Sequence, residues 1–259
     1  MKRPGFFILA LVSVCVSGLE TAPPGKDPGE YCHDQNCPPE QDMFRNMAAK
    51  GQQEKLKLVV FLGSTREGRL ADRVKKFVLD HIQKKDKAAN VKRDIVVYDP
   101  AEKEFPLLKK AFHYYDNKSE APKLLQECDA DIQTADQFLL ISCEYNHSIP
   151  PALSNMLDHF PASSFAWRPS AILTYSPSQF GGMRAAMQLR AMTGELGCTS
   201  ISKIFAIPSL YDVLNEDGTP KEGKKEHLVK ELDELMSHLD WTAQAFKDKK
   251  TKSGVPSSL

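Results

Sequence analysis

The sequence predicts a three-layer α/β domain built on a parallel sheet, and three features of the chain say so. From residue 56 onward, short apolar runs alternate with stretches whose apolar residues recur at helical spacing. The runs are nearly continuous rather than alternating, which suits strands buried on both faces. Interleaving strands with helices then calls for a parallel sheet covered on both sides.

The elements follow in order. LKLVVFLG, residues 56–63, is a strand ending at Gly63, and Leu70, Val74, Phe77, Val78 and Ile82 mark the helix after it. DIVVYDP, residues 94–100, is a second strand stopped by Asp99-Pro100. After a long connection, 121–134 reads as a helix and 137–143 as a third strand. Ser148 can cap the next helix, whose first turn tolerates Pro150 and Pro151 because those amides lack partners anyway. Residues 170–175 form a fourth strand, and Met183–Leu196 a helix stopped by Gly197. Residues 201–207 form a fifth strand broken by Pro208, and Leu228, Leu232, Leu235 and Leu239 stripe the last helix. No repeat and no second core is visible, so one domain spans 56–246, with a flexible tail at 247–259.

Composition narrows the function classes. The 259 residues carry 34 basic and 34 acidic side chains, so no long-range field drives non-specific nucleic-acid binding. An apolar fraction of 41% and a charged fraction of 26% are those of a globular chain. The N-terminus differs from the rest. Lys2 and Arg3 precede an apolar run from Phe6 to Val16, then Ser17 and Gly18, the pattern of a secretory signal peptide over 1–18. A bilayer span needs roughly 20 apolar residues, so stable membrane insertion is not expected. The expected location is the secretory pathway or outside the cell, or the cytoplasm if translation starts elsewhere.

Residues 19–55 form a polar leader in which Cys32 and Cys37 could close a small disulfide loop. With His33 they supply too few ligands for zinc, so no metal site is expected. Cys128, Cys143 and Cys198 read as single core thiols. Sequons occur at Asn117-Lys118-Ser119 and Asn146-His147-Ser148; the first could carry a glycan, and the second should stay unmodified.

Ligands of open parallel sheets bind beyond the carboxyl ends of the strands, so three loops matter. The first, Gly63 to Arg69, lacks both G-x-G-x-x-G and a Walker lysine, which argues against dinucleotide-binding and P-loop readings. It offers Ser64, Thr65, Arg66 and Arg69 beside a helix N-terminus, a plausible phosphate cradle or simply a helix start with solvated arginines. The second carries Glu144, Tyr145, Asn146 and Ser148, an aromatic face flanked by amide groups that suits a planar heterocycle. It holds no nucleophile–base pair, and His147 and His159 read as surface or satisfied residues. The third carries Ser176, Ser178 and Gly181-Gly182, where the backbone can approach closely; Met183 and Met187 read as core.

Together, Gly63-Ser64-x-Arg66, Glu144-Tyr145-Asn146-x-Ser148-x-Pro150 with Leu153, Asn155 and Asp158, and Gly181-Gly182 with Gln188-Leu189-Arg190 resemble the NADPH-dependent FMN reductase family. The resemblance covers 56–210 and implies a flavodoxin-like five-stranded sheet in the order 2-1-3-4-5. It further implies FMN with NADPH or NADH, a small-molecule electron acceptor such as a quinone, a flavin or an azo dye, and a homodimer. By match, Ser64 and Arg66 would contact the phosphate, and Glu144, Tyr145, Asn146 and Ser148 would frame the flavin. Ser176, Gly181 and Gly182 would line the pocket. Arg69 stands where members often place serine or asparagine and is a further phosphate candidate. No side chain need be a catalytic acid or base, because the flavin N5 carries the redox chemistry. Two rival readings are a secreted flavin-binding protein without turnover and an electron carrier. Neutral net charge disfavours the carrier.

Overall fold

The computed structural model describes residues 55–256, so the signal segment, the Cys32–Cys37 loop and the last residues of the tail lie outside it. Strands β1 (Lys57–Leu62), β2 (Asp94–Tyr98), β3 (Gln137–Ser142), β4 (Pro169–Tyr175) and β5 (Thr199–Ile207) form one parallel sheet in the order β2-β1-β3-β4-β5. This is the flavodoxin-like order.

Alternation along the strands separates two cores. Leu58, Val60 and Leu62 of β1, Leu139 and Ile141 of β3, and Leu173 of β4 point to one face. There they meet Val74 and Phe77 of α1 (Ala71–Ala89) and Leu228, Leu232, Leu235 and Leu239 of the last helix. Val59, Phe61, Phe138, Leu140 and Ile172 point to the other face. Against them lie α2 (Lys123–Thr134), α3 (Pro151–Leu157), the single turn α4 (Ala162–Phe165) and α5 (Met183–Glu195). Phe160 and Phe165 belong to this second core, in ring contact with Phe112, Phe61 and Phe138. Trp167 beside them is partly exposed. Cys128, Cys143 and Cys198 are free and buried.

After the short α6 (Leu210–Val213), the final helix α7 (Lys225–Ser253) continues well past residue 247, where the sequence suggested a flexible tail. Its Leu stripe docks on the sheet, and Lys247 donates back to the carbonyl of Lys55 at 2.9 Å, so the helix stays anchored there. Among the described residues, no helix is long and apolar enough to cross a membrane.

Candidate active site

Three strand ends meet at the carboxyl edge of the sheet. After β1 the chain turns through Gly63, whose amide bonds the Ile141 carbonyl at 3.0 Å and ties the first loop to β3. Beyond it, the successive amides of Ser64, Thr65, Arg66, Glu67 and Gly68 have no hydrogen-bond partner among the described residues. A run of unpaired N–H groups ahead of a helix is a ready anion cradle. Arg66 sits over this loop, exposed and without a hydrogen bond or ion pair among the described residues. Its guanidinium carbon lies 3.7 Å from the centre of the Tyr145 ring. The face of Tyr145 that the sequence offered to a heterocycle is therefore covered by Arg66 in this structure.

The second loop is a tight hairpin. Tyr145 and Ser148 exchange backbone hydrogen bonds at 3.1 and 2.9 Å, with Asn146 (φ 50°) and His147 (φ 63°) both left-handed between them. Two such residues are what a primed two-residue turn requires, and Asn and His tolerate the region better than most. The turn aims the exposed Asn146 amide outward with no partner among the described residues. Tyr145 Oη lies 2.6 Å from Ser64 Oγ, joining the first loop to the second, and burial pushes the Tyr145 hydroxyl up from its ordinary value. Beneath them the Cys143 thiol, buried and pushed up by that burial, donates to the Gly63 carbonyl at 3.6 Å.

This donor set suits a phosphate with a ring beside it. The NADPH-dependent FMN reductase family matches residues 56–212, which span all three loops. The chain belongs to that family. With it, the chain falls among the flavin-dependent NAD(P)H oxidoreductases.

Solved structures share the fold at low identity. FerB, a flavoenzyme NAD(P)H:(acceptor) oxidoreductase from Paracoccus denitrificans, is 21% identical with a TM-score of 0.55, covering 77% of this chain and 100% of its own. The apo NADH:FMN oxidoreductase EMOB is 17% identical with a TM-score of 0.54, covering 71% and 90%. RosB, solved with 8-demethyl-8-formylriboflavin-5'-phosphate bound, is 12% identical with a TM-score of 0.57, covering 77% and 82%.

At these loops, several residues expected to contact the ligand brace the loops. Arg69 was expected at the phosphate, but its donors are all engaged elsewhere. Nη1 bonds Ser64 O and Asp99 Oδ1, both at 2.5 Å. Nη2 bonds Asp99 Oδ2 at 2.6 Å and Asp72 Oδ1 at 2.7 Å, and Nε reaches Asp72 Oδ2 at 3.3 Å. Those bonds take all five N–H groups of a guanidinium. The buried carboxylate of Asp99, the residue after β2, draws the side chain inward and away from the loop's open side. Burial alone would disfavour both charges. Their mutual hydrogen bonds outweigh it, raising Arg69 and holding Asp99 below the usual carboxylate range, with Lys75 adding a bond at 2.8 Å.

Glu144 likewise serves the scaffold. Its Oε2 accepts from the amides of Arg184 at 3.0 Å and Ala185 at 3.2 Å, and its Oε1 from Arg184 Nη1 at 3.0 Å. It thus caps α5 from another loop, since Gly182 supplies no side-chain cap. Burial opposes its charge, but these bonds prevail and hold the carboxyl below the ordinary glutamate range.

Ser148 does not cap a helix. It donates to Gln188 Oε1 at 2.8 Å, and Gln188 Nε2 returns a bond to His147 O at 2.8 Å, clasping the hairpin to α5. Ser176 turns into its own loop, bonding Ser178 O at 2.9 Å. On the side where a Cβ would stand, both glycines of the pair pack closely against the protein. A Cβ on Gly182 (φ +80°) would lie 3.0 Å from Thr174 Cβ, and one on Gly181 (φ +60°) 3.2 Å from Ala206 Cβ.

Met183 and Met187, read as core, are exposed on the outer face of α5 beside Phe180. His159 is buried with Nε2 against Pro106 O at 2.9 Å, and Asn155 Nδ2 holds the same carbonyl. Sequence reasoning missed the roles of Asp99 and Arg184, and it placed Gln188 in the family motif without giving it a role. Only the Asp99-Pro100 strand stop hinted at the first, and nothing local pairs it with Arg69, thirty residues away.

Proposed function

We propose that the chain is an FMN-containing NAD(P)H oxidoreductase that reduces a quinone, a flavin or a similar small acceptor through one site. The run of unpaired amides from Ser64 to Gly68 under the free Arg66 guanidinium carries this reading, because it suits one phosphate monoester and little else nearby. Bound there, FMN would supply the redox chemistry, taking two electrons as a hydride from the nicotinamide and giving them to the acceptor. The chain's own part is placement. The amides and Arg66 hold the phosphate, which requires Arg66 to swing off Tyr145 or share it. The Tyr145–Ser148 turn offers the Asn146 amide and its backbone edge to the ring, and Ser64 keeps Tyr145 in place. FerB, an NAD(P)H:(acceptor) oxidoreductase, and EMOB, an NADH:FMN oxidoreductase, share this fold and support that class of donor and acceptor.

The exposed Phe180, Met183 and Met187, together with family membership, support a homodimer. The basic-apolar start of the chain supports entry into the secretory pathway. That same start favours a second reading, a secreted flavin-binding protein without turnover. One preparation separates the two. The purified chain should show a flavin spectrum, intrinsically or after adding FMN, and should oxidise NADPH or NADH when a quinone is supplied. A chain that binds FMN and leaves NAD(P)H untouched is the second protein, and a chain that binds no flavin is neither.

A further inference from the structure

The Asp99–Arg69 pair packs against the first loop and grips one atom of it. Arg69 Nη1 donates to the Ser64 carbonyl at 2.5 Å while the same nitrogen bonds Asp99 Oδ1. The Ser64–Thr65 peptide is planar and, like every described peptide bond, not cis, so its carbonyl and its N–H point in opposite directions. Drawing the Ser64 carbonyl inward to Arg69 therefore turns the Thr65 N–H outward, to the exposed side where the neighbouring amides are unpaired.

Asp99 is well held for this task. Its carboxylate is buried, accepts from Arg69 through both oxygens, from Lys75 at 2.8 Å and from the Ala101 amide at 3.1 Å, and so has one orientation. Asp72 and Glu102 are the acidic groups facing these two cations, and both lie on their outer side. A planar fork that must bridge a carboxylate and a carbonyl at once is a task lysine cannot reproduce.

We infer that Asp99 is a positioning residue for the phosphate group: acting through Arg69, it orients the Ser64–Thr65 peptide so that the loop amides converge on one anion. The inference rests on reading that loop as the FMN phosphate site.

Its test compares two ligands that differ only in the phosphate. FMN and riboflavin are titrated into the wild-type chain, Asp99→Asn and Arg69→Lys, following quenching of flavin fluorescence. The wild-type chain should prefer FMN. Both variants should raise the FMN dissociation constant about tenfold, roughly one hydrogen bond to a charged group, and leave riboflavin within about twofold. A role confined to holding the fold together would weaken both ligands equally, and that result overturns the inference, as does an unchanged FMN constant. Should neither variant fold, the wild-type chain still decides: the Thr65 amide resonance should move on adding FMN and stay put on adding riboflavin. A Thr65 amide indifferent to FMN overturns the inference. A wild-type chain with no preference for FMN over riboflavin overturns the reading of the loop itself.

Discussion

Arg66 and Arg69 lie three residues apart in one loop, yet their surroundings give them opposite duties. Arg69 has Asp99 and Asp72 within hydrogen-bond reach and is fully engaged, whereas Arg66 has only a tyrosine ring beneath it. Replacing Arg66 with alanine should therefore act on ligand rather than on fold. The FMN dissociation constant should rise about 10- to 100-fold, one to two charge-assisted bonds, while the melting free energy shifts by no more than about 0.5 kcal/mol, as for an exposed side chain. Flavin titration and thermal melts on the same preparation check both halves. Gly182 shows the reverse pattern. Its left-handed backbone and the 3.0 Å approach to Thr174 leave no space for a methyl group. Gly182→Ala should cost about 1–3 kcal/mol in denaturant unfolding, through strain and overpacking. The sequence showed that close backbone approach was needed here, and the end of β4 is one partner that approaches, which no pattern local to the glycine names.

Between elements, Glu144 links the end of β3 to the start of α5. Its carboxylate answers two N-terminal amides of that helix, and the favourable helix dipole adds to the bonds. Glu144→Gln should lower stability by about 1–2 kcal/mol near pH 7, most of it from the part-buried capping bonds, because Arg184 is too exposed for the ion pair to count for much. The sign with pH follows from the carboxyl being held below its ordinary value. Its contribution is complete above the unfolded value of about 4.3 and fades as the pH falls through the lower folded value. Melting curves of the two proteins should therefore differ at pH 7 and draw together below about pH 4; a gap that persists in acid would refute the capping role. Strands and long helices were legible in advance because burial writes a periodicity into consecutive residues. The α5 cap was not, since it depends on two segments forty residues apart meeting. For the same reason the connection from Asp99 to Ala121 looked featureless. Its order comes from Asn155 and His159 on and just beyond α3, which grip the Pro106 carbonyl.

Across the whole molecule, this chain's secretory-looking start leaves the compartment to be decided, and the two sequons allow that decision. Asn117 lies exposed on the connection after β2, its Oδ1 accepting from the Ser119 hydroxyl at 2.8 Å and the Ser119 amide at 3.1 Å. A bulky sugar on its Nδ2 would extend into solvent without disturbing a bond to another element. Asn146 occupies the left-handed turn at the mouth of the proposed flavin site, and Ser148 of that sequon is clasped to Gln188. A glycan there would stand over Arg66 and Tyr145. Expressed from Met1 in a eukaryotic secretory host, the active chain should emerge without its first residues, about 18 by the signal pattern, and carry one N-glycan. Intact mass before and after endoglycosidase should show that single glycan, lost in Asn117→Gln and kept in Asn146→Gln. Two results would overturn parts of this expectation. An active chain that retains Met1 and has no glycan would speak against export. An active chain glycosylated at Asn146 would be exported, but it would speak against a flavin held beside that turn.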